Sequence, residues 1–202
     1  MKSTIDVTAF VLAGGKSSRM GSDKAFVRLG EANLLSRALR IAGTVTSAVR
    51  IVGDAKKFES FGQVVEDVYP DRGPLGGIHA ALSSTATRWN LMLAVDLPFV
   101  RTELLSYLIS QARESDVIVT VPQVDGGLQP LCAVYQRAFL DAAEHSLRHG
   151  KNKIDSLFAE VVIRIVEEKE LVQAGFSAEM FRNLNTPEEL DAARSVYSGR
   201  NR

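Results

Sequence analysis

The sequence predicts an α/β fold built on a mainly parallel sheet, and three observations predict it. Strand-like and helix-like segments alternate from one end of the chain to the other. Asn90 to Val95 is apolar almost throughout, as a central strand covered on both faces must be. The first apolar run, Ala9 to Ala13, stops abruptly at two glycines, Gly14 and Gly15. No internal repeat or linker divides the 202 residues. One domain over residues 1–202 is expected, ordered over about residues 5–197.

The first strand covers about Val7 to Ala13 and feeds a glycine-rich loop that runs to Lys24. Asn33 to Ala42 is helical, with Leu34, Leu35, Ala38, Leu39 and Ile41 at helical spacing and Arg37 and Arg40 outward. Ala48 to Val52 is a second strand ending at Gly53-Asp54, and Gln63 to Glu66 is a short third one ending at Asp67. Tyr69 to Gly77 is dense in turn residues and reads as a loop, so the next helix starts near Ile78 and runs to about Ser84. At its start, Gly76 and Gly77 would let a flat group or a phosphate approach backbone N–H groups. His79 reads as a packing or surface residue of that helix.

The apolar strand Asn90 to Val95 ends in Asp96-Leu97-Pro98. Thr102 to Arg113 is a helix with Leu104, Leu105, Leu108 and Ile109 on one face, and Asp116 to Val121 a strand. Gly126-Gly127 then turns the chain into the strand Pro130 to Tyr135. Arg137 to His149 is an amphipathic helix stopped by Gly150, followed by Lys151 and Lys153 ahead of Ile154 to Phe158. Val161 to Val166 reads as a strand and Phe181 to Asn185 as a short strand-like piece. Thr186-Pro187-Glu188-Glu189 is a capping box with proline at the first helical position. A last helix therefore runs to about Tyr197, and the final residues form a loose tail.

Composition narrows the function. Lys and Arg total 24, Asp and Glu total 24, and the net charge is zero. A duplex nucleic-acid binder shows a basic excess, so a small-molecule ligand is favoured. The single cysteine, Cys132, excludes an internal disulfide and a cysteine-rich zinc site; within an apolar strand it reads as a packed thiol. No apolar window reaches the ~18 residues of a membrane span. The short run after Lys2 is preceded by Asp6 and does not make a secretion signal, so a cytoplasmic protein is expected.

The chemistry is concentrated in Val11 to Lys24, where glycines and small hydroxyl residues surround three cations, Lys16, Arg19 and Lys24. Glycines let N–H groups turn toward an anion and the cations neutralise it, which suits the triphosphate of a nucleotide. Walker A spacing would need glycine where Phe10 stands, and Gly14-Gly15-Lys16 breaks the dinucleotide fingerprint. In open α/β sheets ligands bind beyond the carboxyl ends of the strands, which places this loop, Gly53-Asp54, Asp67 and Asp96 at one edge. Phosphates facing carboxylates suggest a bridging divalent cation. Mg²⁺ fits, with Asp96 as the best ligand. The other reading of Asp96 is a cap for the helix that starts near Arg101.

Leu12-Ala-Gly-Gly-Lys-Ser-Ser-Arg-Met-Gly-Ser-Asp-Lys24 resembles the signature loop of the molybdenum cofactor guanylyltransferases, within the wider nucleotidyltransferase superfamily. Gly73-Pro-Leu-Gly-Gly-Ile78, Val95-Asp-Leu-Pro98, Pro130-Leu-Cys-Ala-Val-Tyr135 and Asn183-Leu-Asn-Thr-Pro-Glu-Glu-Leu190 match later motifs of that family in order. The resemblance implies a Rossmann-like three-layer sandwich of the nucleotide-diphospho-sugar transferase type. It implies transfer of GMP from GTP to molybdopterin with release of pyrophosphate. Leu12, Ala13, Gly14 and Gly15 would line the nucleotide, joined by Gly53, Asp67, Gly73, Pro74 and Leu75. Lys24 would meet the phosphates, Arg19 would help to neutralise them, and Asp96 would hold Mg²⁺. Asn183 and Asn185 would stand on the pterin side of the reaction centre, with Gln129 as a further candidate. Lys151 and Lys153 could meet a phosphate there but read more simply as solvated lysines.

In two respects the chain departs from that pattern: Gly53 stands where the family has an asparagine near the end of the second strand, and Gly30-Glu-Ala-Asn-Leu34 stands where relatives often have a Lys-Pro-Leu type turn. The resemblance also implies transient contact with other molybdenum cofactor biosynthesis proteins, and a monomer or weak homo-oligomer. Three other readings are weighed against it. A cytidylyl branch uses CTP for the same chemistry, but tends to read L-A-A-G where this chain has Leu12-Ala-Gly-Gly15. Sugar-phosphate nucleotidyltransferases are usually longer. A nucleotide-binding regulatory module without turnover would not need Lys24 and Asp96 together.

Overall fold

The structure, a computed structural model, describes residues 6–14 and 23–200. The chain begins with β1 (Val7–Leu12) and, after a 3-10 turn at Lys24–Phe26, forms the small hairpin β2 (Arg28–Leu29) and β3 (Ala32–Asn33). Then come α1 (Leu34–Ala42), β4 (Val49–Val52), α2 (Ala55–Phe58) and β5 (Val64–Val65). The middle of the chain is α3 (Gly73–Ser83), β6 (Trp89–Ala94), α4 (Thr102–Ser115), β7 (Val119–Val124), β8 (Gly127–Leu128) and β9 (Cys132–Gln136). It ends with α5 (Phe139–Arg148), α6 (Ile154–Phe158), β10 (Ile163–Val166), α7 (Glu168–Gln173), a 3-10 turn at Ala178–Phe181 and α8 (Pro187–Arg200).

The main sheet runs β10-β7-β9-β6-β1-β4-β5, with β8 paired to β7. β1 pairs in parallel with both β4 and β6, in registers that set Leu12 beside Val52 and Ala94. β9 lies antiparallel between β6 and β7. The chain order reverses at β1, and an open sheet leaves a crevice for a ligand at such a point. The expected α/β sandwich with a mainly parallel mixed sheet is the architecture found.

Alternation along β1 builds the two outer layers. Ala9 and Val11 pack with the buried faces of α1, α4, α7 and α8, while Phe10 and Leu12 pack with α3, α5 and α6. α1 shows the local logic. The Asn33 side chain accepts from Ser36 N at 2.7 Å and starts the helix. Leu34, Leu35 and Ala38 then face inward, and each buried leucine contributes about 1.5–3 kcal/mol.

Several expected boundaries move, each for a physical reason. α3 begins at Gly73, five residues before Ile78, because Pro74 is pre-set for a first helical turn and supplies no N–H that would need a partner. Gly76 relieves a tight spot: a Cβ there would stand 3.0 Å from the Tyr69 carbonyl oxygen. Asp116 is the left-handed cap of α4, with φ of 52°, and starts no strand; β7 therefore runs later, over Val119–Val124. Asp125 and Gly126, at φ of 51° and 74°, form the tight turn that joins β7 to β8. Phe181 to Asn185 is no strand, for its residues leave a 3-10 turn to reach α8.

Candidate active site

The site is built where β1, β4 and β6 end together. Val95 N donates to Leu12 O at 3.1 Å, while Ala13 N and Gly14 N both donate to Val52 O, at 2.9 and 3.1 Å. The N–H groups of Ala13 and Gly14 therefore hold the sheet edge together. Any contact from these two to a nucleotide must come from their carbonyl oxygens or the surface above them. The Leu12 side chain lies under α3, 3.9 Å from where a Gly77 Cβ would be. Gly15 and Arg19 lie outside the described residues.

Lys24 opens the 3-10 turn that Asp23 caps by accepting from Ala25 N at 3.2 Å. Asp23 is tied in turn to Lys57 at 2.9 Å. This braced turn sends the Lys24 ammonium across the crevice. Its Nζ donates to Asp96 Oδ2 at 3.2 Å and to Asn185 Oδ1 at 2.5 Å. Leu184 N donates to Asp96 O at 3.0 Å, so the Asn-Leu-Asn segment is stitched to the end of β6. The sequence separates these residues widely, and the fold gathers Lys24, Asp96 and Asn185 into one cluster.

Asp96 does not cap α4, whose N-cap is Arg101 without a side-chain bond. Its side chain remains about one-fifth exposed, so a cation can reach it. Among the described residues no group of three or more His, Cys, Asp or Glu could hold a metal alone. That donor set fits Mg²⁺, which binds through one or two carboxylates and takes its other ligands from substrate phosphates and water.

Asp67 occupies the neighbouring position. Its carboxylate oxygens lie 3.9 and 3.8 Å from where Cβ atoms on Gly76 and Gly77 would be, at the first turns of α3, and desolvation raises its pKa. Gly73 and Pro74 are exposed on the same turn. Leu75 is different: it is fully buried in the core beneath α3, so its side chain cannot touch a nucleotide. Asp54 caps α2, accepting from Lys56 N at 2.9 Å. Gly53 leaves room for an aromatic ring, since a Cβ there would meet Phe58 Cε2 at 2.8 Å. Gly53 therefore stands directly over the buried Phe58.

On the other side, Leu131 O accepts from Ala94 N at 2.8 Å because β9 starts beside the end of β6. This brings the half-buried Gln129 to the same edge; its amide reaches Gly127 O at 3.4 Å. Asn183 is exposed and Asn185 half-buried. Lys151 and Lys153 are exposed beyond α5, after the Gly150 turn that approaches the Arg72 guanidinium. Cys132 is fully buried, and burial pushes its thiol up to about 12. His79 is buried as well, with its ring 5.0 Å edge-on from Tyr69, and burial lowers its pKa. The sequence reading missed Glu189, whose Oε2 accepts from Asn185 N at 2.5 Å and from Thr186 N at 3.0 Å. The capping box signalled its contact to Thr186; nothing in the sequence signalled the one to Asn185.

Comparison with known proteins adds to this geometry. The family model described as "MobA-like NTP transferase domain" matches residues 9–168. A probable molybdenum cofactor guanylyltransferase of Pelotomaculum thermopropionicum is 36% identical, over 94% of this chain and 93% of its own length. One from Clostridium perfringens is 31% identical, over 93% and 96%. Among solved structures, molybdopterin-guanine dinucleotide biosynthesis protein A from Archaeoglobus fulgidus superposes with a TM-score of 0.84 at 26% identity, covering 95% of this chain and 99% of that one. No helix among the described residues is long and apolar enough to cross a membrane.

Proposed function

Since this chain belongs to the MobA-like NTP transferase family, we propose that it transfers GMP from GTP to molybdopterin, releasing pyrophosphate. The relatives make it a nucleotidyltransferase of molybdenum cofactor biosynthesis. The single observation that supports the transfer reading is the meeting of Lys24, Asp96 and Asn185 at the ends of β1 and β6. A cation, a carboxylate and a neutral amide placed together suit a reaction in which charge must be balanced and an acceptor oriented.

In this reading an oxygen of the molybdopterin phosphate attacks the α-phosphorus of GTP. One phosphorus–oxygen bond forms as the bond to the leaving pyrophosphate breaks. The nucleophile is already ionised at neutral pH, so no general base is needed. Repulsion between anions is the barrier, and positioning and neutralisation supply most of the rate. Asp96 would hold Mg²⁺, which supplies charge neutralisation at the phosphates. Lys24 would meet the phosphates, with Arg19 adding a second cation. Asn185 orients Lys24 from the acceptor side, with Asn183 and Gln129 as the polar groups nearest the pterin. The backbone at Leu12 to Gly14, with Gly53, Asp67, Gly73 and Pro74, would line the nucleotide.

The test is pyrophosphate release with molybdopterin present, comparing GTP, CTP, ATP and UTP. Release dependent on GTP and molybdopterin is expected. Preference for CTP overturns the guanylyl assignment, and no release with any of the four points to a binding module.

A further inference from the structure

We infer that Glu189 is a positioning residue of this centre: it holds the backbone of Asn185 and thereby sets where Lys24 stands beside Asp96. The inference rests on the functional reading above. In an ordinary capping box the glutamate at the third helical position bonds back to the N-cap N–H and stops there. Here Thr186 is the N-cap, its Oγ1 accepting from Glu189 N at 3.2 Å, and Glu189 Oε2 accepts from Thr186 N at 3.0 Å. The same oxygen also reaches one residue further, to Asn185 N, and this is the shorter contact at 2.5 Å.

That extra reach leaves the helix and enters the site. Asn185 Oδ1 accepts from the Lys24 ammonium, and Leu184 N is bonded to Asp96 O. The segment is therefore gripped on one side by the end of β6 and on the other by a carboxylate of α8. Held at two successive residues, the Asn185 backbone has little freedom to turn its amide away from Lys24. α8 does not need this contact to stay in place, because Leu190 and Ala193 anchor it in the core.

Glu189→Ala and Glu189→Gln in the full chain test the inference. Pyrophosphate release by Glu189→Ala should lose about 10-fold in kcat, the scale of one charged hydrogen bond, without a matching rise in KM for GTP. Glu189→Gln should recover most of the loss, since an amide oxygen can accept the same N–H. In a Lys24→Ala background Glu189→Ala should cost nothing further, as expected when two residues act through one contact. Ala193→Gly, which weakens α8 alone, should leave kcat unchanged. Equal losses in both backgrounds, or the same loss in Ala193→Gly, would overturn it. If the parent protein releases no pyrophosphate, the functional reading fails by itself, and amide exchange still decides this one. Exchange at Asn185 N–H should accelerate about 10-fold in Glu189→Ala, with a shift of the Lys24 side-chain ¹⁵N resonance. An unmoved Lys24 resonance overturns the inference.

Discussion

Lys24 Nζ lies 3.2 Å from Asp96 Oδ2, although 72 positions of sequence separate the two residues. Each side chain is about one-fifth exposed, so the pair is neither locked in the core nor fully solvated. Removing one member leaves the other charge half-desolvated at the edge of the sheet.

Asp96→Asn keeps the shape of the side chain and removes its charge. Nucleotidyl transfer should fall by at least ~10²-fold, and chelation of Mg²⁺ should produce a similar loss in the parent protein. Circular dichroism should be unchanged. Full turnover by Asp96→Asn would remove the metal assignment.

Gly53→Asn tests the departure at the end of β4. A Cβ at this position meets the ring of Phe58, which is 1% exposed and stacks at 5.7 Å on Phe26. The substitution should destabilise the protein by about 1–3 kcal/mol in chemical denaturation. The same change beside Phe58→Leu should cost less, since the smaller side chain gives way.

His79 governs part of the pH dependence. Burial holds its pKa below the ordinary 6.5, with Glu144 raising it and Arg148 lowering it more weakly. The unfolded chain therefore binds the proton more readily. The stabilisation is full above about pH 6.5 and is lost as pH falls toward the depressed folded value. His79→Gln should flatten the fall in thermal midpoint between about pH 7 and pH 5. An unchanged slope would mean that other groups set it.

Asn90 should separate stability from catalysis. It sits at the opposite end of β6 from Asp96, where its amide donates to Thr87 O at 3.1 Å and its Oδ1 accepts from Thr87 Oγ1 at 3.0 Å. The Thr87 hydroxyl also meets Thr8 at 2.8 Å. Asn90→Leu removes both bonds to Thr87, although the Thr87 hydroxyl keeps Thr8, and should cost about 1–3 kcal/mol in denaturation. The kcat of the folded fraction should be unaffected.

The layers were legible in the sequence because each rests on a local pattern. The apolar run through Val95 predicted β6, and the spacing of Leu34, Leu35 and Ala38 predicted α1. What escaped depends on contacts distant in sequence. Gly73 to Gly77 looked like a loop because glycine and proline punctuate loops, yet Pro74 suits a first helical turn and the Tyr69 carbonyl leaves little room for a side chain at Gly76. Leu75 matched a motif, but whether its side chain faces a ligand or the core depends on the direction of α3. In the site, Lys24 and Asp96 were each visible as chemical types. The bond from Lys24 to Asn185 was not, since no spacing rule links residues 24 and 185.

The reversed strand β9 carries one more consequence. All its neighbours in the main sheet run the other way, so the chain regains the working edge at Gln129 through a short turn and a two-residue strand. No helix is threaded through that return. Lengthening it would cost only loop entropy, about 0.6 kcal/mol for each doubling. The part of the edge that carries Gln129 can thus be redesigned by grafting longer segments at Asp125–Gly126, while the β1–β4–β6 part is left untouched.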